Sequence, residues 1–158
     1  MEIIIIAAGK CKDKAILELV AHYQKRLKPF FKNRLIEVPQ SQASRADDIK
    51  AEEAKIFNEK LKKIPEKSFI IALDERGESP STLKLAQIMK TKQETGAFNQ
   101  FCIIIGGAEG LHEDIRNRAN YVLSLSKLTY PHMMVRPIIL EQLYRVASVN
   151  AGHPYHRQ

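Results

Sequence analysis

Cysteine is scarce in this chain: Cys11 and Cys102 are the only two among 158 residues, and no CxxC pair occurs. That excludes a disulfide framework, argues against a zinc site and fits a reducing compartment. Long apolar runs are also missing. The longest, Ile3 to Ala8, is far too short to span a bilayer. No basic region precedes it, so it does not read as a secretory signal. The expectation is a cytoplasmic protein with no membrane partner and no metal. Phosphate fingerprints are absent too: neither GxGxxG nor a Gly-Lys-Ser/Thr loop is present. Acidic residues are in deficit, 18 against 25 lysines and arginines, for a formal net charge of +7. Such an excess suits a polyanion as well as it suits a plain solvated surface, and it does not separate RNA from DNA or anionic lipid. There is no repeat and no long linker, so residues 1–158 are expected to form a single domain with its own core.

Short apolar runs alternate with amphipathic stretches. Glu2–Ala8 reads as a buried strand rich in β-branched residues. Asp13 is placed to cap a helix whose apolar face is Ile16, Leu19, Val20, Tyr23 and Leu27. Leu35–Val38 is a second strand, stopped by Pro39, and a polar loop from Gln40 leads to a second helix from about Asp47. That helix is expected to turn Ile49, Ile56, Leu61 and Ile64 inward and its lysines and glutamates outward. Phe69–Leu73, Phe101–Ile105 and Tyr121–Leu125 are further strands. Ser79-Pro80-Ser81 opens a third helix, Leu111–Ala119 a short fourth, and Pro137 sits in the first turn of the last. This alternation specifies an α/β fold: a mostly parallel sheet flanked by helices on both faces.

Ligands of such sheets bind at the carboxyl ends of strands. Three segments lie there: Leu73-Asp74, Gly106-Gly107-Ala108-Glu109-Gly110, and Ser124 to His132. The glycines permit close approach of backbone to a ligand, or simply a tight turn. The hydroxyls and free backbone groups of the third segment suit an adenine and a ribose, or simply a polar loop. The C-terminus, His153-Pro154-Tyr155-His156-Arg157, gathers proton donors and acceptors with a phosphate-pairing guanidinium. It reads as a tail that docks into a site. His132, His153 and His156 lack the carboxylate or cysteine partners of a usual metal set.

The segments IIALDERGE, IIIGGAEGL, LSLSKLTYPHMMVR, LEQLYRVAS and HPYHR occur in that order. Together they closely resemble one family, the ribosomal RNA large subunit methyltransferase H family of SPOUT-class pseudouridine N3-methyltransferases. The resemblance covers essentially the whole chain, and HPYHR and LTYPH are its most specific parts. It implies a SPOUT-type fold with a C-terminal trefoil knot, S-adenosylmethionine as methyl donor, and a homodimer whose sites lie between subunits. The implied substrate is N3 of a pseudouridine in helix 69 of 23S ribosomal RNA, within the large subunit or the assembled ribosome. Carried over residue by residue, the resemblance assigns Leu73, Gly106, Leu125, Ser126, Lys127, Leu128, Thr129 and Tyr130 to the cofactor. It assigns His132, Tyr155, His156 and Arg157 to catalysis and RNA contact. Ile138, Leu143 and Tyr144 are candidate dimer contacts, with core packing inside one subunit the equal alternative. A ribosome-binding protein that kept the fold and lost catalysis is the rival reading. It predicts RNA binding without cofactor binding.

Overall fold

The computed structural model describes residues 1–155. Five strands form one sheet: β1 (Glu2–Ala8), β2 (Lys32–Val38), β3 (Ser68–Glu78), β4 (Gln100–Ile105) and β5 (Tyr121–Leu123). Their order is β2-β1-β4-β3-β5, and every pairing is parallel. Parallel strands need crossovers, and here these are α1 (Lys14–Leu27), α2 (Ala46–Leu61), α3 (Thr82–Glu94) and α4 (Glu113–Arg118). Helix α5 (Val135–Asn150) follows the last strand.

The pleat divides the isoleucine run of β1 between two cores. Ile3, Ile5 and Ala7 join Phe101, Ile103, Phe69 and Ile71 beneath α1, α3 and α5. Ile4, Ile6 and Ala8 join Cys102, Ile104 and Ala72 beneath α2 and α4. Both sheet faces are therefore covered, which explains why β1 and β4 are apolar without alternation. Asp13 caps α1 as expected, its Oδ1 accepting from the amides of Ala15 and Ile16 at 2.9 and 3.3 Å. Ser81 caps α3 in the same way, accepting from Lys84 N at 3.2 Å.

Several sequence expectations are corrected. Leu19 is exposed, and α1 buries Val20 and Leu27. In α2 the buried stripe is Glu53, Ala54, Phe57 and Leu61, while Ile49 and Ile56 are half-buried. Strand β5 stops at Leu123, two residues early, because Ser124 turns its hydroxyl onto the Ser126 carbonyl at 2.9 Å. Strand β3 runs on past Asp74, but irregularly: Leu73 and Glu78 both pair with Leu123, so residues 74–77 bulge between them.

Leu73 faces Ile105 on one side and Leu123 on the other. The carboxyl ends of β4, β3 and β5 thus lie side by side, and the three segments that follow them share one edge of the sheet. No helix among the described residues is long and apolar enough to cross a membrane.

Candidate functional site

A cavity of about 370 Å³ opens at that edge. The bulge of β3 supplies Leu73, Asp74, Glu75 and Arg76; the glycine turn after β4 supplies Gly106 to Gly110; the segment after β5 supplies Ser124 to Ser126 and Leu128 to His132. Val135 of α5 closes it. Its volume lies within the range of small-molecule sites. Seven of the eight residues assigned to the cofactor line it: Leu73, Gly106, Leu125, Ser126, Leu128, Thr129 and Tyr130. Lys127 is not among the lining residues and is exposed.

Each wall is fixed by local chemistry. Ser124 N donates to Glu78 O at 2.8 Å, and Ser79 Oγ donates to Ser124 O at 3.2 Å, which ties the third segment to the bulge. Ser126 Oγ accepts from Leu128 N at 2.9 Å, a hydroxyl-closed turn. That turn leaves Leu128 standing 73% exposed at the rim. Asp74 shapes the bulge: its Oδ1 accepts from Arg76 N at 3.0 Å, and its Oδ2 meets Arg116 at 3.5 Å and Arg76 at 3.8 Å. At Gly106 a Cβ would stand 2.9 Å from the Gly110 carbonyl group, so only glycine lets the turn close on itself.

His132 lines the cavity, and its Nε2 is buried without a hydrogen-bond partner. Burial pushes its pKa below the ordinary value of 6.5, and the nearby Arg136 guanidinium adds to the effect. A neutral imidazole with a free ring nitrogen is a competent proton acceptor. Neither cysteine lines the cavity, and burial pushes Cys102 up to about 12.

Arg136 was not singled out from the sequence. It is fully buried, pairs with Glu37 Oε1 at 2.6 Å, and donates to the carbonyls of Ala8 and Gly9 at 2.8 and 2.6 Å. It pins the first turn of α5, beside the cavity, to the end of β1. The signal available was a lone basic residue between Val135 and Pro137 in an otherwise apolar helix start.

Tyr155 lies elsewhere in its own chain. It does not line the cavity. Its ring packs against Tyr144 at 4.5 Å, with the guanidinium carbons of Arg26 and Arg145 at 4.7 and 5.0 Å from its centre. Its hydroxyl donates to Glu141 Oε1 at 3.3 Å. His156 and Arg157 lie outside the described residues. Of the candidate dimer contacts, Leu143 and Tyr144 are buried within this subunit and Ile138 is half-buried.

The family profile described as "Predicted SPOUT methyltransferase" matches residues 1–156. The chain belongs to the SPOUT methyltransferase family. A protein of Methanoregula boonei named "Putative ribosomal RNA large subunit methyltransferase H" is 40% identical over 162 residues, covering 99% of this chain and 100% of the relative. Two solved structures share the fold at low identity. A "Probable Methyltransferase" from Bordetella pertussis superposes with a TM-score of 0.58 at 11% identity, over 92% of this chain and 96% of that one. A "putative RNA methyltransferase" from Bacillus anthracis gives 0.55 at 13% identity, over 99% and 98%. Methyl transfer is thus the chemistry of this family.

Proposed function

We propose that the chain transfers a methyl group from S-adenosylmethionine to N3 of a pseudouridine in helix 69 of large-subunit 23S ribosomal RNA. The observation that carries this is the strand-end cavity, in which the glycine turn and the Ser124–His132 segment meet in a chain that a methyltransferase family profile matches over residues 1–156. The relative's printed name points to ribosomal RNA of the large subunit, and the net charge of +7 agrees with a polyanionic substrate.

The residues present fit the cofactor. Leu73, Leu125 and Leu128 offer apolar wall for an adenine, while Gly106 and the backbone from Ser126 to Tyr130 offer polar groups for the ribose and adenine edges. Glu75 and Glu109 place carboxylates at the lining beside Arg76, while the carboxylate of Asp74 is taken up by Arg76 and Arg116. Bound S-adenosylmethionine supplies a methyl group already activated on a sulfonium. The protein's share is to exclude water, to hold the nucleobase in line, and to accept the N3 proton. Positioning contributes about 7–11 kcal/mol to such a reaction. A general base adds a factor of about 10²–10⁴. His132 is assigned the second role through its unpartnered ring nitrogen.

Tyr155, His156 and Arg157 are assigned to the RNA side of a site completed by a second copy of the chain, in a homodimer. Two features support this. Tyr155 stands outside its own cavity, held by Arg26, Arg145 and Glu141. Leu17 and Leu19 leave apolar surface on α1, beside α5, for a partner to cover. The proposal extends to a trefoil knot in the C-terminal part, to residues 1–158 acting as one domain, and to work in the cytoplasm on the large subunit or whole ribosome.

Calorimetric titration with S-adenosylmethionine tests the cofactor assignment, and absence of binding refutes it. Methylation assays on naked 23S RNA, isolated large subunits and whole ribosomes test the substrate. Transfer to none of the three removes the catalytic reading and leaves the ribosome-binding one.

A further inference from the structure

Helix α2 buries a carboxylate on its inner face. Glu53 is 2% exposed and sits in the stripe with Ala54, Phe57 and Leu61. Its Oε1 accepts from Ser41 N at 3.4 Å, in the loop after β2. Its Oε2 is buried and has no hydrogen-bond partner. Across from both oxygens lies the glycine turn: a Cβ on Gly107 would meet Oε1 and Oε2 at 3.0 Å each. Gly107 itself is buried and lines the cavity.

A buried carboxyl with an unmatched oxygen is costly, and an apolar side chain of similar size there is often neutral or stabilising. Stability alone therefore does not account for a glutamate on this stripe. Burial pushes its pKa above the ordinary 4.5; the backbone N–H groups of Ser41 and Gly107 oppose that shift, and nearby Glu109 adds to it. The carboxyl thus stands between two backbone segments, and one of them is a cavity wall. Gly107 has no side chain precisely where the carboxyl needs the room.

We infer that Glu53 is a positioning residue for the methyl donor: from behind the cavity wall, its carboxyl holds Gly107 and thereby sets the shape of the Gly106–Gly110 turn. The inference rests on the cofactor reading above. Glu53 touches neither donor nor RNA, and acts through the Gly107 backbone alone.

Three proteins are titrated with S-adenosylmethionine by calorimetry: the parent, Glu53→Leu and Glu53→Gln. Glu53→Leu fills the space and removes every acceptor, so donor affinity falls about tenfold, the worth of one hydrogen bond. In turnover the loss appears in KM for the donor, with kcat at saturating donor retained. Glu53→Gln keeps a carbonyl acceptor at the same place and stays within about threefold of the parent. A Glu53→Leu protein that is folded and binds like the parent overturns the inference. A parent that does not bind the donor overturns the cofactor reading and the inference together. If Glu53→Leu does not fold, Glu53→Gln decides: the Gly107 amide proton resonance moves upfield as the acceptor weakens. An unmoved Gly107 resonance overturns the inference.

Discussion

Replacing Arg136 with methionine separates two roles that its position combines. The side chain is fully buried and makes three polar contacts: Glu37 at 2.6 Å, Ala8 O at 2.8 Å and Gly9 O at 2.6 Å. Methionine fills similar space and makes none of them. Breaking a buried pair by removing one partner costs about 3–5 kcal/mol. Glu37 retains 27% of its side-chain exposure and an amide donor in Cys11 at 2.9 Å, so water and that donor relieve part of its loss. The two carbonyls have no such relief, and each left unmatched costs about 1–3 kcal/mol. These terms overlap, and the net is set at about 3–4 kcal/mol. For a domain of this size each kcal/mol moves Tm by about 2–4 °C, so the midpoint falls by about 6–16 °C. Differential scanning calorimetry at fixed protein concentration reads the shift. The same change frees the start of α5 from the end of β1, and Val135 and His132 border the cavity there. Donor affinity should therefore weaken even at temperatures where the variant is fully folded. A Tm within about 2 °C of the parent refutes the estimate, because it corresponds to less than about 1 kcal/mol. A large Tm loss with unchanged donor affinity leaves Arg136 as scaffold only.

Three other perturbations address the site. Gly77→Ala drives a Cβ to 2.5 Å from the Val122 carbonyl oxygen, against backbone that cannot step aside. It should cost about 1–3 kcal/mol and disturb the bulge of β3, read as a lower denaturation midpoint together with weaker donor binding. His132 is held below the ordinary value of 6.5, first by burial and then by Arg136. It remains neutral as pH drops through 6.5, so the acid limb of kcat/KM should lie below that pH. Arg136→Met should move the limb upward, and a limb unchanged in that variant and in His132→Gln excludes this imidazole as the base. Arg26→Ala removes the cation over Tyr155 at 4.7 Å and over Tyr144 at 4.4 Å. Such a contact contributes about 0.5–2 kcal/mol. Methylation should fall several-fold with donor affinity intact; an equal loss of donor binding argues against a role confined to the tail.

Much of this was legible in the sequence because apolar runs and turn residues are local signals. The four isoleucines of β1, the Asp13 and Ser81 caps and the glycines after β4 each declare their conformation within a few residues. The eight cofactor assignments came with the family resemblance, and seven of them line the cavity, where strand ends of a parallel sheet converge. The bulge of β3 was not legible, because it is created by pairing with β5, some fifty residues on.

The polar supports were the other omission, and they share one physical cause. Glu53 and Arg136 occupy inward positions of helices whose other inward residues are apolar, and a charge there reads as surface when only periodicity is weighed. A charge on an apolar stripe is expensive to bury. Where it is buried regardless, the compensation has to come from other parts of the chain: the Ser41 amide for one, Glu37 and the Ala8 and Gly9 carbonyls for the other. These partners lie at the carboxyl ends of strands: Glu37 and Ala8 among the last residues of β2 and β1, Gly9 and Ser41 just beyond them. Of the two helices, α2 supports the glycine turn from outside the cavity and α5 brings its first turn to the rim, so each buried charge holds a loop whose backbone cannot vary if the cavity is to keep its shape.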